Sequence, residues 1–185
     1  IKGKKANGEN FIKQAIKKGA SVVICSNKCK FKDKNILVIK KKNVRNFLSE
    51  IASRFYNLKP KNIIAVTGTN GKTSVADMFY QLFRLNNKPV ASIGTLGIKY
   101  NNKFFKTSLT SPDTISLHKT LNFLKKKKIE NVIIEASSHG LHQERLHHID
   151  FKSAVFTNFS QDHLDYHNNM KTYLNAKLIL FRKIL

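Results

Sequence analysis

One short glycine-rich segment carries the residue types that bind a nucleotide phosphate. The segment reads Thr67-Gly68-Thr69-Asn70-Gly71-Lys72-Thr73. Glycines allow backbone N–H groups to turn toward an anion without a Cβ in the way. Lys72 can reach the β- and γ-phosphates, and the Thr73 hydroxyl can ligate Mg²⁺. The segment therefore predicts ATP binding through the residues Gly68, Thr69, Asn70, Gly71, Lys72 and Thr73.

The general phosphate-loop pattern is met except at one position. That pattern places glycine at position 66, where this chain has Val66, while G-T-x-G-K-T is satisfied in full. A tight turn with a chance Gly-Lys-Thr is the alternative. The context favours the phosphate loop, because an apolar run over 62–66 precedes it and a helical pattern over 72–86 follows it.

Glu135 is a second candidate, at the end of the apolar run 131–135. Ligands gather at the carboxyl ends of the strands in open α/β sheets. A carboxylate at a strand end can also be simply solvated, and the residues alone leave both interpretations open.

Alternating strand and helix patterns must position these residues. Helices are predicted over 10–18, 43–57, 72–86, 114–126 and 170–185, and strands over 21–25, 36–39, 62–66, 90–93, 131–135 and 153–157. Residues 94–107 are predicted as a loop or hairpin with a turn at Asn101-Asn102. The alternation predicts an α/β fold with a mainly parallel sheet.

Leu58-Lys59-Pro60-Lys61 interrupts a helical pattern, so a domain boundary is predicted there, with domains at 1–58 and 59–185. The chain begins without Met and ends at Ile184-Leu185 inside an amphipathic pattern. We therefore expect a fragment, with sequence missing at both ends.

The formal net charge is +23, from 34 Lys and Arg against 11 Asp and Glu. Such a charge can indicate nucleic-acid or anionic-membrane binding. The lysines are scattered, however, and the run 125–128 lies at a predicted helix end, where cations are favourable, without aromatic residues for base stacking. We expect no nucleic-acid and no membrane partner. A basic ATP-regulated nucleic-acid-binding protein is the competing hypothesis.

Cysteine and histidine give no convincing metal site. Cys25 and Cys29 lack a second pair, and unpaired thiols suit a cytoplasmic protein. A zinc cluster of four histidines has no ligand spacing that supports it, so these are expected to be loop or surface residues: His139, His142, His147 and His148.

Three further motifs, in order, resemble the Mur ligase family. Residues 135–141 with Gln143 and Arg145 resemble the E-x-S-S-H-G-L-x-Q-x-R signature of the members that add a third amino acid to a muramoyl dipeptide. Residues 157–167 resemble T-N-L-S-x-D-H-L-D-Y-H, and 173–177 match Y-x-x-A-K. The T-G-T-N-G-K-T loop is also similar to the family's nucleotide loop.

The resemblance implies an ATP-dependent amide-forming ligase of peptidoglycan synthesis. Its members add diaminopimelate or lysine to UDP-N-acetylmuramoyl-L-alanyl-D-glutamate through an acyl phosphate. Residues 1–58 would end an N-terminal UDP-binding domain, and 59–185 would begin the central ATP-binding domain. A monomer is expected, and the fragment alone is expected to be inactive. Folylpolyglutamate and cyanophycin synthetases are the nearest rivals, and the S-S-H-G-L-x-Q-x-R stretch speaks against both.

The resemblance also implies roles for individual residues. Catalytic roles fall on Lys72, Glu135, His163 and Lys177, and Mg²⁺ ligation on Thr73, Glu135, His163 and Lys177. Lys177 would serve the metal as a carbamate formed with CO₂, which requires an amine pKa lowered by burial or by neighbouring cations. Contacts to the muramoyl dipeptide fall on Thr110, Ser111, Ser137, Gln143 and Arg145.

Overall fold

The computed structural model describes residues 1, 3, 6–107 and 109–185. The described chain divides into two compact units, Ile1–Leu48 and Ser49–Leu185. The predicted domain boundary after residue 58 lies further along the chain than this division and stays a prediction.

The first unit begins with a 3₁₀ turn over Gly8–Phe11 and continues into helix α1. Its elements are α1 (Ile12–Lys17), β1 (Val22–Ser26), β2 (Leu37–Lys41) and the start of α2 (Val44–Phe55). The predicted helix over 10–18 therefore begins as 3₁₀, with the Asn7 side chain accepting from the Glu9 N–H. Strands β1 and β2 pair in parallel.

The small core of this unit contains both cysteines. Cys25 and Cys29 are free thiols, buried with Ile12 and Val23. Burial, followed by the neighbouring Cys29, raises the pKa of the Cys25 thiol. Both cysteines are thus part of the packing of the first unit.

The second unit is built around a six-stranded sheet. Its elements are β3 (Asn62–Thr67), α3 (Lys72–Leu85), β4 (Val90–Gly94), β5 (Gly97–Tyr100), β6 (Lys103–Phe105), α4 (Thr114–Lys126), β7 (Asn131–Glu135), α5 (Ser138–His142), β8 (Ser153–Phe156), α6 (Leu164–His167) and α7 (Met170–Ile179). The strand order is β6-β5-β4-β7-β3-β8. Strands β4, β7, β3 and β8 are parallel, and β5 and β6 add an antiparallel edge. The predicted α/β fold with a mainly parallel sheet is confirmed.

Helix α4 shows how the sequence sets the packing of this unit. The Asp113 carboxylate caps its first turn by accepting from the N–H groups of Ile115 and Ser116, both at 3.1 Å. Leucines at helical spacing then form one fully buried face, namely Leu117, Leu121 and Leu124. Burying each such side chain contributes about 1.5–3 kcal/mol, which fixes α4 against the sheet.

Most predicted elements lie within two residues of their observed bounds. The predicted hairpin is present as β5 and β6, with Asn101 and Asn102 at positive φ in its turn. The closing helix predicted to residue 185 is wrong in its last part, because α7 ends at Ile179 and a π-helical turn follows over Leu180–Ile184. The short helices α5 and α6 were not predicted.

Among the described residues, no helix is both long and apolar enough to cross a membrane. The carboxyl ends of the parallel strands β3, β4, β7 and β8 meet at one edge of the sheet. The segments that follow these strands carry the candidate site.

Candidate functional site

The glycine-rich loop follows β3 in a conformation that only glycine tolerates. Gly68 has a φ of 141°, and a Cβ at this position would lie 1.9 Å from the Thr157 Oγ1 atom. Gly71 is left-handed, with a φ of 81°, and serves as the N-cap of α3. The loop therefore passes against the end of β8 and then turns into the N-terminus of α3, the geometry of an anion site.

The segment after β8 clamps the loop by hydrogen bonds. The Thr69 N–H donates to the Asn158 carbonyl oxygen and the Asn70 N–H to the Asn158 Oδ1, both at 2.9 Å. The Thr157 hydroxyl donates to the Asn70 carbonyl oxygen at 2.6 Å. Because these bonds fix the loop backbone in advance, a phosphate would meet preorganised donors.

Two lysines donate to the same loop carbonyl group. The Lys72 Nζ atom lies 2.9 Å from the Gly68 oxygen and 2.7 Å from the Thr69 oxygen. The Lys177 Nζ atom lies 2.5 Å from the Gly68 oxygen. Burial lowers the pKa of Lys72, and the charges of Glu135 and Asp162 act in the opposite direction.

Lys177 is a buried lysine on α7, with only 1% of its surface exposed. Burial, and then the positive charge of Lys72, lower its pKa to about 8, against an opposing effect of Asp162. Its Nζ atom also lies 4.4 Å from the centroid of the Tyr173 ring. The two causes expected from the sequence, burial and a neighbouring cation, are both present.

The Glu135 carboxylate is buried at the end of β7 and accepts three hydrogen bonds. Its Oε2 atom accepts from the hydroxyls of Thr73 at 2.9 Å and Thr95 at 3.0 Å, and its Oε1 atom from the Thr95 N–H at 3.0 Å. A Cβ on Gly94 would lie 2.0 Å from the Glu135 Oε1 atom. The end of β4 therefore leaves space for this carboxylate and supplies two of its donors.

The residues around Glu135 fit a hard divalent cation. The carboxylate of Glu135 and the hydroxyl of Thr73 are oxygen donors in contact, the type that Mg²⁺ prefers. His163 lines the same small cavity as Thr73, at the start of α6, and its backbone is in the left-handed conformation. No group of three or more His, Cys, Asp or Glu side chains that could hold a metal occurs in the described part of the chain. Of the four residues predicted to bind Mg²⁺, only Glu135 and His163 are of these four residue types.

Ser111, which precedes α4, and Ser137, which precedes α5, contact each other at the carboxyl end of β7. The Ser111 hydroxyl donates to the Glu135 carbonyl oxygen at 2.8 Å and accepts from the Ser137 N–H at 3.0 Å. Ser111 is buried, with 1% exposed. The Thr110 hydroxyl contacts that of Thr95 at 3.1 Å. Thr110 and Ser137 therefore face the cavity, whereas Ser111 supports them from behind.

Gln143 and Arg145 follow α5 and contact each other. The Arg145 guanidinium donates to the Gln143 Oε1 at 2.6 Å and to the Ser111 carbonyl oxygen at 2.8 Å. The Gln143 Nε2 atom lies 3.1 Å from the Tyr166 hydroxyl. These two predicted substrate residues thus form a network beside the cavity.

A cavity of about 260 Å³ brings most of the predicted residues together. It is lined by Thr69, Asn70, Gly71, Lys72, Thr73, Ser74, Thr95, Thr110, Ser137, Ser138, His163 and Lys177. A larger, open groove of about 650 Å³ lies between α3 and the β5–β6 hairpin and contains none of the predicted site residues. The smaller cavity is the candidate site because the glycine-rich loop lines it. Glu135 lies behind its wall, bound by Thr73 and Thr95, which both line the cavity.

The family follows from a comparison of the whole chain with known protein families. Residues 66–185 match the Mur ligase middle domain, and residues 1–56 match the Mur ligase family, catalytic domain. The chain belongs to the Mur ligase family.

Relatives within the family carry one recurring name. The chain is 43% identical over 187 residues to the UDP-N-acetylmuramoyl-L-alanyl-D-glutamate--2,6-diaminopimelate ligase of Wigglesworthia glossinidia brevipalpis, covering 96% of this chain and 38% of that protein. It is 47% identical over 188 residues to the protein of the same name from Rickettsia rickettsii, covering 98% of this chain and 38% of that protein. The chain thus spans just over a third of the length of these relatives.

Solved structures give the same fold. A structure of a UDP-N-acetylmuramoyl-L-alanyl-D-glutamate--2,6-diaminopimelate ligase matches with a TM-score of 0.79 and 32% identity, covering 94% of this chain and 35% of that one. A MurF ligase from Thermotoga maritima in complex with ADP matches with a TM-score of 0.55 and 20% identity, covering 100% of this chain and 39% of that one. The second likeness shows the fold alone.

The four histidines weighed as a cluster lie in two places. His142 and His148 are exposed, as expected, whereas His139 and His147 are half-buried. His139 and His142 lie on α5 and not in a loop, and the His139 ring packs 4.8 Å from that of His163. His139 therefore packs behind His163, which lines the candidate cavity.

Sequence reasoning missed several residues that shape this site. Thr95 holds the Glu135 carboxylate, and nothing in its neighbourhood in the sequence indicates that contact. Asp162, Tyr166 and Tyr173 lie inside the family motifs, which predict no role for them. The Tyr173 hydroxyl donates to the Thr69 Oγ1 at 3.2 Å, which ties α7 to the nucleotide loop.

Proposed function

We propose that the whole protein containing this chain is an ATP-dependent ligase that joins diaminopimelate to UDP-N-acetylmuramoyl-L-alanyl-D-glutamate. The observation that carries the proposal is that Lys72 and Lys177 both donate to the Gly68 carbonyl oxygen, while Thr73 at the end of the same loop donates to Glu135. The names of the relatives support the two substrates and favour diaminopimelate over lysine.

The chemistry needs an activated carboxylate, because a carboxylate oxygen is a poor leaving group. A carboxylate oxygen of the D-glutamyl residue attacks the γ-phosphorus of ATP, giving an acyl phosphate and ADP. The amine of diaminopimelate then attacks the acyl carbon, phosphate leaves with the former carboxylate oxygen, and the amine loses a proton. Such a transfer depends on positioning and charge neutralisation.

Lys72 and the loop backbone perform the positioning in this proposal. In the structure the Lys72 ammonium donates to the carbonyl oxygens of Gly68 and Thr69. Bound ATP would supply negatively charged acceptors in place of these neutral carbonyl oxygens. Lys72 would then turn to the β- and γ-phosphates. Loop N–H groups other than those of Thr69 and Asn70, which donate to Asn158, would bind the same anion at the N-terminus of α3.

Mg²⁺ would be held by the Thr73 hydroxyl and the Glu135 carboxylate, with His163 on the same cavity. When bound, the ion would neutralise part of the phosphate charge. Thr95 keeps the Glu135 carboxylate turned toward Thr73 and so orients the proposed metal ligand.

Lys177 is assigned as the carbamylated lysine of the site. Its pKa of about 8 leaves roughly a tenth of the amine neutral at pH 7. The neutral amine attacks CO₂ and loses a proton, which converts a buried cation into an anion beside Lys72. The positive charge of Lys72 favours both the neutral amine and the product carbamate.

Thr110, Ser137, Gln143 and Arg145 are assigned to the muramoyl dipeptide, with Ser111 placing Ser137. Residues 1–58 are assigned to the end of the UDP-binding domain and 59–185 to the start of the ATP-binding domain. The whole protein is assigned to the cytoplasm as a monomer.

An isotope experiment tests the reaction. The full-length protein is incubated with ATP, Mg²⁺, diaminopimelate and the UDP-muramoyl dipeptide carrying ¹⁸O in its glutamyl carboxylates. The proposal predicts an amide product and inorganic phosphate with one ¹⁸O atom. Unlabelled phosphate, or ATP consumption without amide, would contradict it.

A further inference from the structure

Tyr166 lies on α6 between two segments of the candidate site. Its hydroxyl oxygen is 3.1 Å from the Gln143 Nε2 and 3.0 Å from the His142 Nδ1. Its ring packs on His139, with 4.1 Å between ring centroids. The tyrosine thus contacts α5 and the segment that follows it through both its ring and its hydroxyl.

The direction of these hydrogen bonds follows from the one partner that can only donate. Arg145 has no acceptor, so the Gln143 atom at 2.6 Å from its guanidinium must be the amide oxygen. The Gln143 amide nitrogen therefore faces Tyr166 and donates to the phenol oxygen. The phenol proton is then free to be donated to the His142 Nδ1.

The same network continues toward the catalytic edge of the sheet. Arg145 donates to the Ser111 carbonyl oxygen at 2.8 Å, and the Ser111 hydroxyl donates to the Glu135 carbonyl oxygen at 2.8 Å. Gln143 and Arg145 are thereby held between Tyr166 on one side and Ser111 on the other. Tyr166 is the member of this set that comes from the segment of His163.

We propose that Tyr166 is a positioning residue for the UDP-muramoyl dipeptide, acting through the amide of Gln143 and the guanidinium of Arg145. The inference rests on the proposed function and deepens it. Without the phenol oxygen, the Gln143 amide loses one of the two contacts that orient it and keeps the other, to Arg145. The pair is then held less firmly, and the substrate must supply part of its order, which weakens binding.

The test uses the full-length protein and the variant Tyr166→Phe, which keeps the ring on His139 and removes the hydroxyl. We expect the Kd of the UDP-muramoyl dipeptide, measured by calorimetry without ATP, to rise about fivefold to tenfold. The Kd of ATP should change less than twofold. Tyr56→Phe, one residue after the end of α2 and outside the site, should leave both values unchanged.

A double-mutant cycle with Gln143→Ala separates positioning from a general loss of structure. If Tyr166 acts through Gln143, then Tyr166→Phe should change the dipeptide Kd less than twofold in the Gln143→Ala background. An equal loss of affinity in both backgrounds, or a parallel loss of ATP affinity, overturns the proposal.

Titration of the wild-type protein distinguishes a failure of the proposed function from a failure of the role of Tyr166. If the wild-type protein does not bind the dipeptide, the proposed function fails and the role of Tyr166 fails with it. If the wild type binds and Tyr166→Phe binds equally well, only the role of Tyr166 fails.

Discussion

Lys72 and Lys177 donate to one carbonyl oxygen, that of Gly68, at 2.9 and 2.5 Å. Two ammonium groups thus meet at a neutral acceptor in a largely buried site. Their repulsion contributes to the lowered pKa of Lys177, after the larger effect of burial. An anion placed between them, whether a phosphate or a carbamate, would be stabilised by both charges.

The first prediction concerns the charge of Lys72 and the carbamate on Lys177. In Lys72→Met the pKa of Lys177 should rise, because a neighbouring cation has gone, and the carbamate should be several-fold less populated at pH 7.5. Lys72→Arg keeps the positive charge, so this variant should retain most of the carbamate on Lys177. The measurement is the carbamate ¹³C NMR signal under ¹³CO₂, with Lys177→Met as the blank. An unchanged signal in Lys72→Met contradicts the coupling.

The second prediction concerns Thr95, which holds the Glu135 carboxylate through its hydroxyl and its N–H. Thr95→Val keeps the shape and removes the hydroxyl donor, so the carboxylate is held less firmly toward Thr73. Removing a residue that hydrogen-bonds a metal ligand typically lowers metal affinity by about 10–100-fold. We expect the Mg²⁺ concentration for half-maximal activity to rise by about tenfold, with no change in Thr120→Val on α4. Equal Mg²⁺ dependence in both variants would show that Thr95 has no such role.

The third prediction concerns the close approach at Gly68. Gly68→Ala places a methyl group against Thr157 and should destabilise the fold by about 2 kcal/mol and raise the Kd of ATP more than tenfold. Gly19→Ala is the matched control, because Gly19 also has a positive φ, 94°, but has nothing within 4 Å of an added Cβ. Gly19→Ala should lower the free energy of unfolding by about 1–2 kcal/mol because of its left-handed backbone, and it should leave ATP binding unchanged. Chemical denaturation and calorimetry measure both effects, and an ATP affinity in Gly68→Ala equal to that of the wild type would count against the nucleotide loop.

The sequence predicted those parts of the fold that local pattern determines. The strand ending at Thr67 and the helix from Lys72 are marked by an apolar run, two glycines and helical spacing, and both were predicted within one residue. Helices α5 and α6 have five and four residues, too few to show a period of 3.6. Helix α5 depends instead on its N-cap Ser137, which accepts from the Gly140 N–H at 3.1 Å.

Contacts between distant residues were the part of the site that the sequence could not predict. The phosphate loop is a local motif, recognisable from its glycines, Lys72, Thr73 and the strand and helix patterns on either side. The Thr95–Glu135 and Tyr173–Thr69 contacts join residues 40 and 104 positions apart, and no local pattern encodes them. The roles of Glu135, His163 and Lys177 came from the family resemblance, and they stay proposals.

The fourth prediction concerns the pH dependence of stability. His118 is fully buried beside Ser49, and burial followed by the charge of Lys59 lowers its pKa from 6.5 to about 4. The unfolded chain binds this proton below pH 6.5, whereas the folded chain binds it only near pH 4. Stability should therefore fall as the pH falls through this window, by about 2 kcal/mol between pH 7 and pH 5.

Urea denaturation of the wild type and of His118→Gln checks this prediction. The variant keeps an amide facing Ser49 and removes the titration, so its loss of stability between pH 7 and pH 5 should be about 2 kcal/mol smaller. Parallel curves for the two proteins would show that His118 does not account for the acid sensitivity.

The most direct test of the ligase is product formation by the full-length protein with ATP, Mg²⁺, the UDP-muramoyl dipeptide and either diaminopimelate or lysine. Mass spectrometry should detect the amide with diaminopimelate; the amide should disappear in Lys72→Met and persist in Lys119→Met, an exposed lysine on α4. No amide with either amino acid, together with tight and salt-sensitive binding of nucleic acid, would contradict the ligase and favour the basic nucleic-acid-binding alternative.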